Sequence, residues 1–284
     1  MSDQFIVDRS RLRTHLAALS RPRDAFQNPG TLKEIQGYIH QTLEGFGYKI
    51  EKCPFSFRGE SFENLIAMRH PAQRSPYLLI GAHFDAVAGT PGADDNASGV
   101  AALLEIARLV AEEPCAHRIK FIAFNVEEYG MVGSSFYAKQ LKKRGEPIAG
   151  MLSLEMIGYT SNLKGSQKLP LMLRPFYPDT GNFLALVGDA GSKTFLDRAK
   201  KFFGQVQELA VETLSVPGKG WLLPETRLSD HSPFWDEGFP ALLVTDTSFF
   251  RNPHYHSPGD RVETLDLVFL SRVSEGVCHL AASF

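Results

Sequence analysis

Apolar residues recur along this chain in two rhythms. After the turn signal Asn28-Pro29-Gly30, the residues Ile35, Ile39, Leu43 and Phe46 fall three or four positions apart, the spacing of a helical stripe. Gly45 and Gly47 end that stripe, and the first 45 or so residues read as polar-amphipathic helix. Strands are predicted over 48–57 and 64–68, separated by a turn at Arg58-Gly59-Glu60. A short apolar run at 77–82 reads as a buried strand, and a loop over 84–96 follows it. Val100, Leu103, Leu104, Ala107 and Val110 then return to helical spacing. A strand at 119–124, a helix at 134–142 and a strand at 148–154 complete an alternation that specifies an α/β sheet with helices on its faces.

The stretch 158–181 breaks the rhythm. It holds Gly165, Pro170, Pro175 and Pro178 without periodicity, as expected of a pocket wall or lid. A strand at 182–187, a helix at 192–203, a strand at 240–245 and a helix over 264–282 follow. No linker composition or repeat divides the chain. The expected fold is one domain over 1–284: three α/β/α layers around a twisted, mixed but mostly parallel sheet.

Composition narrows the function. The 30 basic and 32 acidic side chains nearly balance, which gives no support to nucleic-acid binding. No apolar run approaches the ~18 residues of a membrane span. The start Met-Ser-Asp-Gln lacks the pattern of a leader, and Cys53, Cys115 and Cys278 form no metal or disulfide spacing, so a reducing, cytoplasmic setting is expected.

The chemistry gathers where apolar runs stop. His83-Phe84-Asp85 closes the first buried run, Asp94-Asp95-Asn96 precedes the next helix, Asn125-Val126-Glu127-Glu128 closes the second run and Glu155 the third. Pro253-His254-Tyr255-His256 follows the last strand. Taken singly, Asp95 and Asn96 read as a helix cap, Glu127 and Glu128 as a solvated turn, Glu155 as a salt-bridge partner and His256 as a surface histidine. Taken together, they lie at the strand ends where α/β sheets bind ligands. Two imidazoles and three carboxylates without a thiolate suit zinc, and also manganese or cobalt. That is more than one catalytic zinc needs and suits a pair of ions sharing a carboxylate.

In this order the segments resemble the M28 family of zinc peptidases, whose fold also includes glutaminyl cyclases. The matching pieces are His83-Phe84-Asp85, Gly92-Ala93-Asp94-Asp95-Asn96-Ala97-Ser98-Gly99, Asn125-Val126-Glu127-Glu128, Leu154-Glu155-Met156-Ile157-Gly158, Ser229-Asp230-His231-Ser232-Pro233-Phe234 and Tyr255-His256. The resemblance implies two zinc ions, with Asp95 bridging, His83 and Glu155 completing one site, and Glu128 and His256 the other. It implies Glu127 as general base, Asp85 as the residue that orients His83, and Tyr255 as a hydroxyl near the developing oxyanion. The implied reaction is hydrolysis of the N-terminal peptide bond of a peptide substrate.

The chain departs from the common pattern at two positions. Glu155 stands where many members have aspartate, and Leu228 where many have arginine. Asp230, His231, Phe250 and Trp221 are candidates for the substrate pocket, with Tyr129 and Phe249 as further aromatics. His15, His40, His70, His117 and His279 receive no role. Two rivals stand beside the aminopeptidase. One is a single-zinc glutaminyl cyclase, disfavoured by Tyr255 where family cyclases tend to carry tryptophan. The other is a non-catalytic peptidase-like binding protein, which the complete ligand set argues against.

Overall fold

Eight strands form one sheet in the order β1-β2-β4-β3-β5-β8-β6-β7 in the computed structural model, which describes residues 5–69 and 76–284. The strands are β1 (Lys49–Phe57), β2 (Glu60–Met68), β3 (Tyr77–His83), β4 (Ile119–Phe124), β5 (Ile148–Glu155), β6 (Phe183–Asp189), β7 (Ala210–Val216) and β8 (Ala241–Thr245). β4, β3, β5 and β8 run parallel, and β6 and β7 run parallel to each other. The contacts β1–β2, β2–β4 and β6–β8 are antiparallel. The sheet is therefore mixed, with a parallel centre whose carboxyl ends share one edge. Residues 1–4, which bear on the expected lack of a leader, and His70 lie outside the described residues. Among the described residues no helix is long and apolar enough to cross a membrane.

The helices are α1 (Arg9–Leu19), α2 (Pro29–Gly45), α3 (Gly99–Val110), α4 (Val132–Arg144), α5 (Lys193–Phe203), α6 (Ser232–Asp236) and α7 (Leu267–Ala281). α1, α2, α3, α5 and α7 share one core with one face of the sheet. α4 and α6 pack on the other face, where Tyr137 and Leu141 meet Phe234 and Trp235. α3 is buried nearly all round rather than along the expected stripe, because α1, α2 and α7 surround it over β3 and β5. The three cysteines are free and buried.

The structure corrects three details. Pro29 and Gly30 form the first turn of α2 and not a turn before it, since proline has no N–H to lose at that position. β7 carries no apolar run, being an edge strand of mostly part-exposed residues, and the pattern did not show it. The five-residue α6 is likewise too short to set up a periodicity.

Candidate metal centre and its cavity

Each ligand candidate is delivered by the end of a buried element. His83 is the last residue of β3 and Glu155 the last of β5. Glu127 and Glu128 follow β4 in a tight turn, Asp95 lies in the irregular turn Ala93–Ser98 before α3, and His256 lies between β8 and α7. Three backbone positions here are left-handed: Val126 (φ 60°) before Glu127, Met156 (φ 47°) after Glu155, and His256 itself (φ 51°). Such conformations are costly for non-glycine residues, and they aim the neighbouring side chains inward. Gly92, at φ 59°, cannot be replaced freely, since a Cβ there would lie 2.3 Å from the Asp95 carbonyl oxygen.

The side chains converge. His83 Nε2 lies 3.4 Å from Asp95 Oδ1 and 3.3 Å from Glu155 Oε2. His256 Nε2 lies 3.1 Å from Asp95 Oδ2 and 3.4 Å from Glu128 Oε2. The two oxygens of Asp95 thus face different imidazoles. Ligand atoms of His83, Asp95 and Glu155 lie within 4.8 Å of one another, as do those of Asp95, Glu128 and His256. His83, Glu127 and Glu128 meet the same limit, but Glu127 Oε2 stands further off, 3.9 Å from His83 Nε2. Glu128 is held by the Val87 N–H (3.1 Å to Oε1), whereas the part-buried Glu127 carboxylate makes no hydrogen bond among the described residues.

The donor set fits a metal. Both ring nitrogens of His83 are buried without a hydrogen bond among the described residues, although Nε2 points at two carboxylates, an arrangement that a coordinated cation would satisfy. Without one, the cluster is held by protons. Burial opposes charge on His83, but Glu155 and Glu127 outweigh it and raise its pKa well above the ordinary value. His256 likewise goes up to about 10 against burial, through Asp95 and Glu128. Burial lifts Glu128 to about 7, aided by the charge of Asp95, and lifts Glu127 well above its ordinary value. A divalent cation displaces such protons when it binds.

The surroundings fix this geometry through the backbone. Asp85 lies 3.6 Å from His83 Nδ1, too far for a hydrogen bond, and instead accepts from the N–H groups of Glu127 (3.0 Å) and Glu128 (3.2 Å). Asn96 binds the Leu154 carbonyl oxygen (2.8 Å) and accepts from the Met156 N–H (3.1 Å), bracketing Glu155. Its Oδ1 also accepts from the Gly99 N–H at 3.2 Å, a cap-like bond that Asp95 does not make, although the N-cap position of α3 itself is held by Ser98. Ser229 Oγ donates to Glu155 Oε2 at 2.8 Å. Two residues that the sequence pattern did not single out matter here. Asp260 accepts from the N–H groups of Asp94 and Asp95. Arg23, fully buried, donates to the carbonyl oxygens of Phe84 (2.7 Å), Pro91 (2.6 Å) and Gly92 (2.8 Å).

A cavity of about 300 Å³ opens from this cluster. Leu169, Pro170, Leu173 and Tyr177 of the irregular segment line it, together with Phe249, Phe250 and Tyr255. Tyr255 stacks on His256 with ring centroids 3.7 Å apart. Three pocket candidates fall elsewhere. Trp221 is 64% exposed outside the cavity, with the Arg227 guanidinium 3.7 Å from its ring centroid. His231 is buried, its Nε2 2.8 Å from the Thr226 carbonyl oxygen and its ring edge-on to Trp235, so it serves packing. Asp230 is also fully buried and lines no part of the cavity; burial pushes it up to about 7, against the pull of His83. Tyr129 packs on Phe26 and Phe57 and donates to Asp24 Oδ2 (2.8 Å).

Residues 64–281 match the profile of Peptidase family M28. The chain is 34% identical to uncharacterized protein YfbL of Escherichia coli (strain K12), over 94% of this chain and 84% of that one. It is 28% identical to aminopeptidase YwaD of Bacillus subtilis (strain 168) over 73% of this chain, and it spans 41% of that longer protein. Among solved structures, the Legionella pneumophila LapA aminopeptidase superposes with a TM-score of 0.75 at 20% identity, over 97% of this chain and 69% of that one. Porphyromonas gingivalis glutaminyl cyclase superposes with a TM-score of 0.70 at 18% identity, over 99% of each chain. With the profile covering most of its length and the donor residues converging at its strand ends, this chain belongs to peptidase family M28.

Proposed function

We propose that the chain is a two-zinc aminopeptidase that releases the N-terminal residue of peptides. The observation that carries this reading is the split of the Asp95 carboxylate, with Oδ1 facing His83 and Oδ2 facing His256. One shared carboxylate between two donor groups is the arrangement expected of paired ions. His83 and Glu155 would hold one, Glu128 and His256 the other, and Asp95 both. When bound, zinc supplies Lewis acidity, polarising a carbonyl and acidifying a water. Manganese or cobalt would suit the same donors.

The remaining work falls to the protein. The Glu127 carboxylate faces the cavity without a hydrogen bond among the described residues. Its burial favours the protonated form, which suits a group that takes a proton from water and returns it to the leaving amine. Tyr255, on the cavity wall beside His256, can donate to the oxyanion. The acidic lining favours a substrate that ends in a free amino group, which supports an exopeptidase. Tyr255 also weighs against cyclisation of N-terminal glutamine on a single zinc.

The test is a metal count by mass spectrometry beside two assays on one preparation, amino-acid release from unblocked peptides and cyclisation of Gln-initiated peptides. About two metals per chain with release is expected. One metal with cyclisation would replace this reading with the cyclase.

A further inference from the structure

Strand register draws a line across the cavity floor. Glu155 on β5 pairs with Thr245 on β8, Thr245 with Ala185 on β6, and Ala185 with Glu212 on β7. All four line the cavity. The row starts at the metal cluster and ends, three strand spacings or roughly 14 Å away, at a second carboxylate. Ala185 between them is small, so the space above it stays open. Apolar groups flank the row, including Leu173 and Tyr177 on one wall and Leu223 and Leu228 from the chain after β7.

Glu225, in the short turn Pro224–Arg227, adds a further carboxylate to this cavity. Its Oε2 is out of contact with solvent and has no hydrogen-bond partner among the described residues. Neither Glu212 nor Glu225 forms an ion pair among the described residues, and no lysine or arginine is among the residues lining the cavity. A carboxylate oxygen withdrawn from water without a donor is unfavourable until a cation reaches it. This oxygen and the part-exposed Glu212 carboxylate, beyond an apolar channel, are complementary to a ligand with an aliphatic stem and a positive end.

We infer that Glu212 and Glu225 form a specificity subsite for a cationic side chain, so that the preferred N-terminal residue is lysine or arginine. The assignment rests on the aminopeptidase reading above. The α-amino group docks at the acidic cluster around Glu155, the stem crosses Ala185 between the apolar walls, and the ammonium or guanidinium pairs with Glu212 and Glu225.

The experiment compares Lys-Ala-Ala with norleucine-Ala-Ala, which keeps the stem and lacks the charge, in the zinc-loaded enzyme and in Glu212→Gln, Glu225→Gln and the double variant. The readouts are kcat/KM for release and, by titration calorimetry, the affinities of lysinamide and norleucinamide. The expected wild-type Lys-to-norleucine ratio exceeds tenfold, and the double variant lowers it at least tenfold in both readouts. Release without a lysine preference, or with a preference that the double variant leaves in place, overturns the subsite while the aminopeptidase stands. No release from any peptide, with lysinamide binding that the double variant abolishes, overturns the aminopeptidase while the subsite stands. Neither release nor selective binding overturns both.

Discussion

Asp260 holds Asp95 by its backbone. Its Oδ2 accepts from the Asp95 N–H at 3.0 Å, while its Oδ1 accepts from the Asp94 N–H at 2.8 Å, across more than 160 residues of chain. The turn that aims the Asp95 carboxylate at two histidines is thus clamped from the far end of the sequence. Asp260→Ala removes both acceptors. The expected result is a loss of about 10- to 100-fold in zinc affinity with the fold retained. Competition with a chelator and circular dichroism on one sample would check it.

Glu127→Gln keeps the shape of the side chain and removes its ability to take a proton. We expect release to fall by about 10²- to 10⁴-fold with the zinc content unchanged. Loss of zinc in this variant would make Glu127 a ligand, as its distance to His83 also allows.

Asp95→Ala and His256→Ala separate the two halves of the centre. The former is expected to lose both ions and the latter one, because Asp95 faces both histidines and His256 faces only Glu128 and Asp95 among the candidate ligands. Metal counting after dialysis reads the difference directly.

Arg23→Met leaves the carbonyl oxygens of Phe84, Pro91 and Gly92 without their buried donor. A destabilisation of about 3 kcal/mol is expected from the unmet carbonyls of Phe84 and Pro91, since the Gly92 oxygen keeps the Ala97 N–H at 3.1 Å. Urea unfolding with an unchanged m-value would show it as a stability effect.

Two buried histidines withdraw stability in acid, against the carboxylates Glu127, Glu128 and Asp230, whose raised pKa values act in the opposite direction. Burial pushes His231 down to about 3 and His15 down to about 4. Both are therefore neutral in the folded protein while the unfolded chain takes up protons below about 6.5. Their stabilising contribution is complete above that value and is lost as pH falls towards 4, by up to about 1.4 kcal/mol per pH unit for each histidine. The urea stability of His231→Gln should rise relative to that of the wild type as pH falls from 6.5 to 4.

The sequence was informative wherever a chemical group sits at the end of an apolar run. His83 and Glu155 close strands β3 and β5, and the central β-strands were apparent from their buried runs. Glu127 and Glu128 were legible by the same logic, because a charged group at the end of a buried strand calls for a partner, whereas Asp95 and His256 lie in loops and were picked out by the order of the segments. β7 was not legible, because an edge strand needs only one neighbour and little burial. Its Glu212 was missed with it.

Residue type and order along the chain determined the α/β class and the family, and named the candidate donors. The tertiary structure alone decided which groups face one another. It placed Trp221 outside the cavity, buried Asp230 and His231 away from it, and turned Asp85 towards the backbone of Glu127 and Glu128. It also brought Arg23 and Asp260 to the centre, through hydrogen bonds to main-chain atoms that every residue carries. A contact of that kind leaves no mark in the identity of its partner, so no pattern along one chain can announce it.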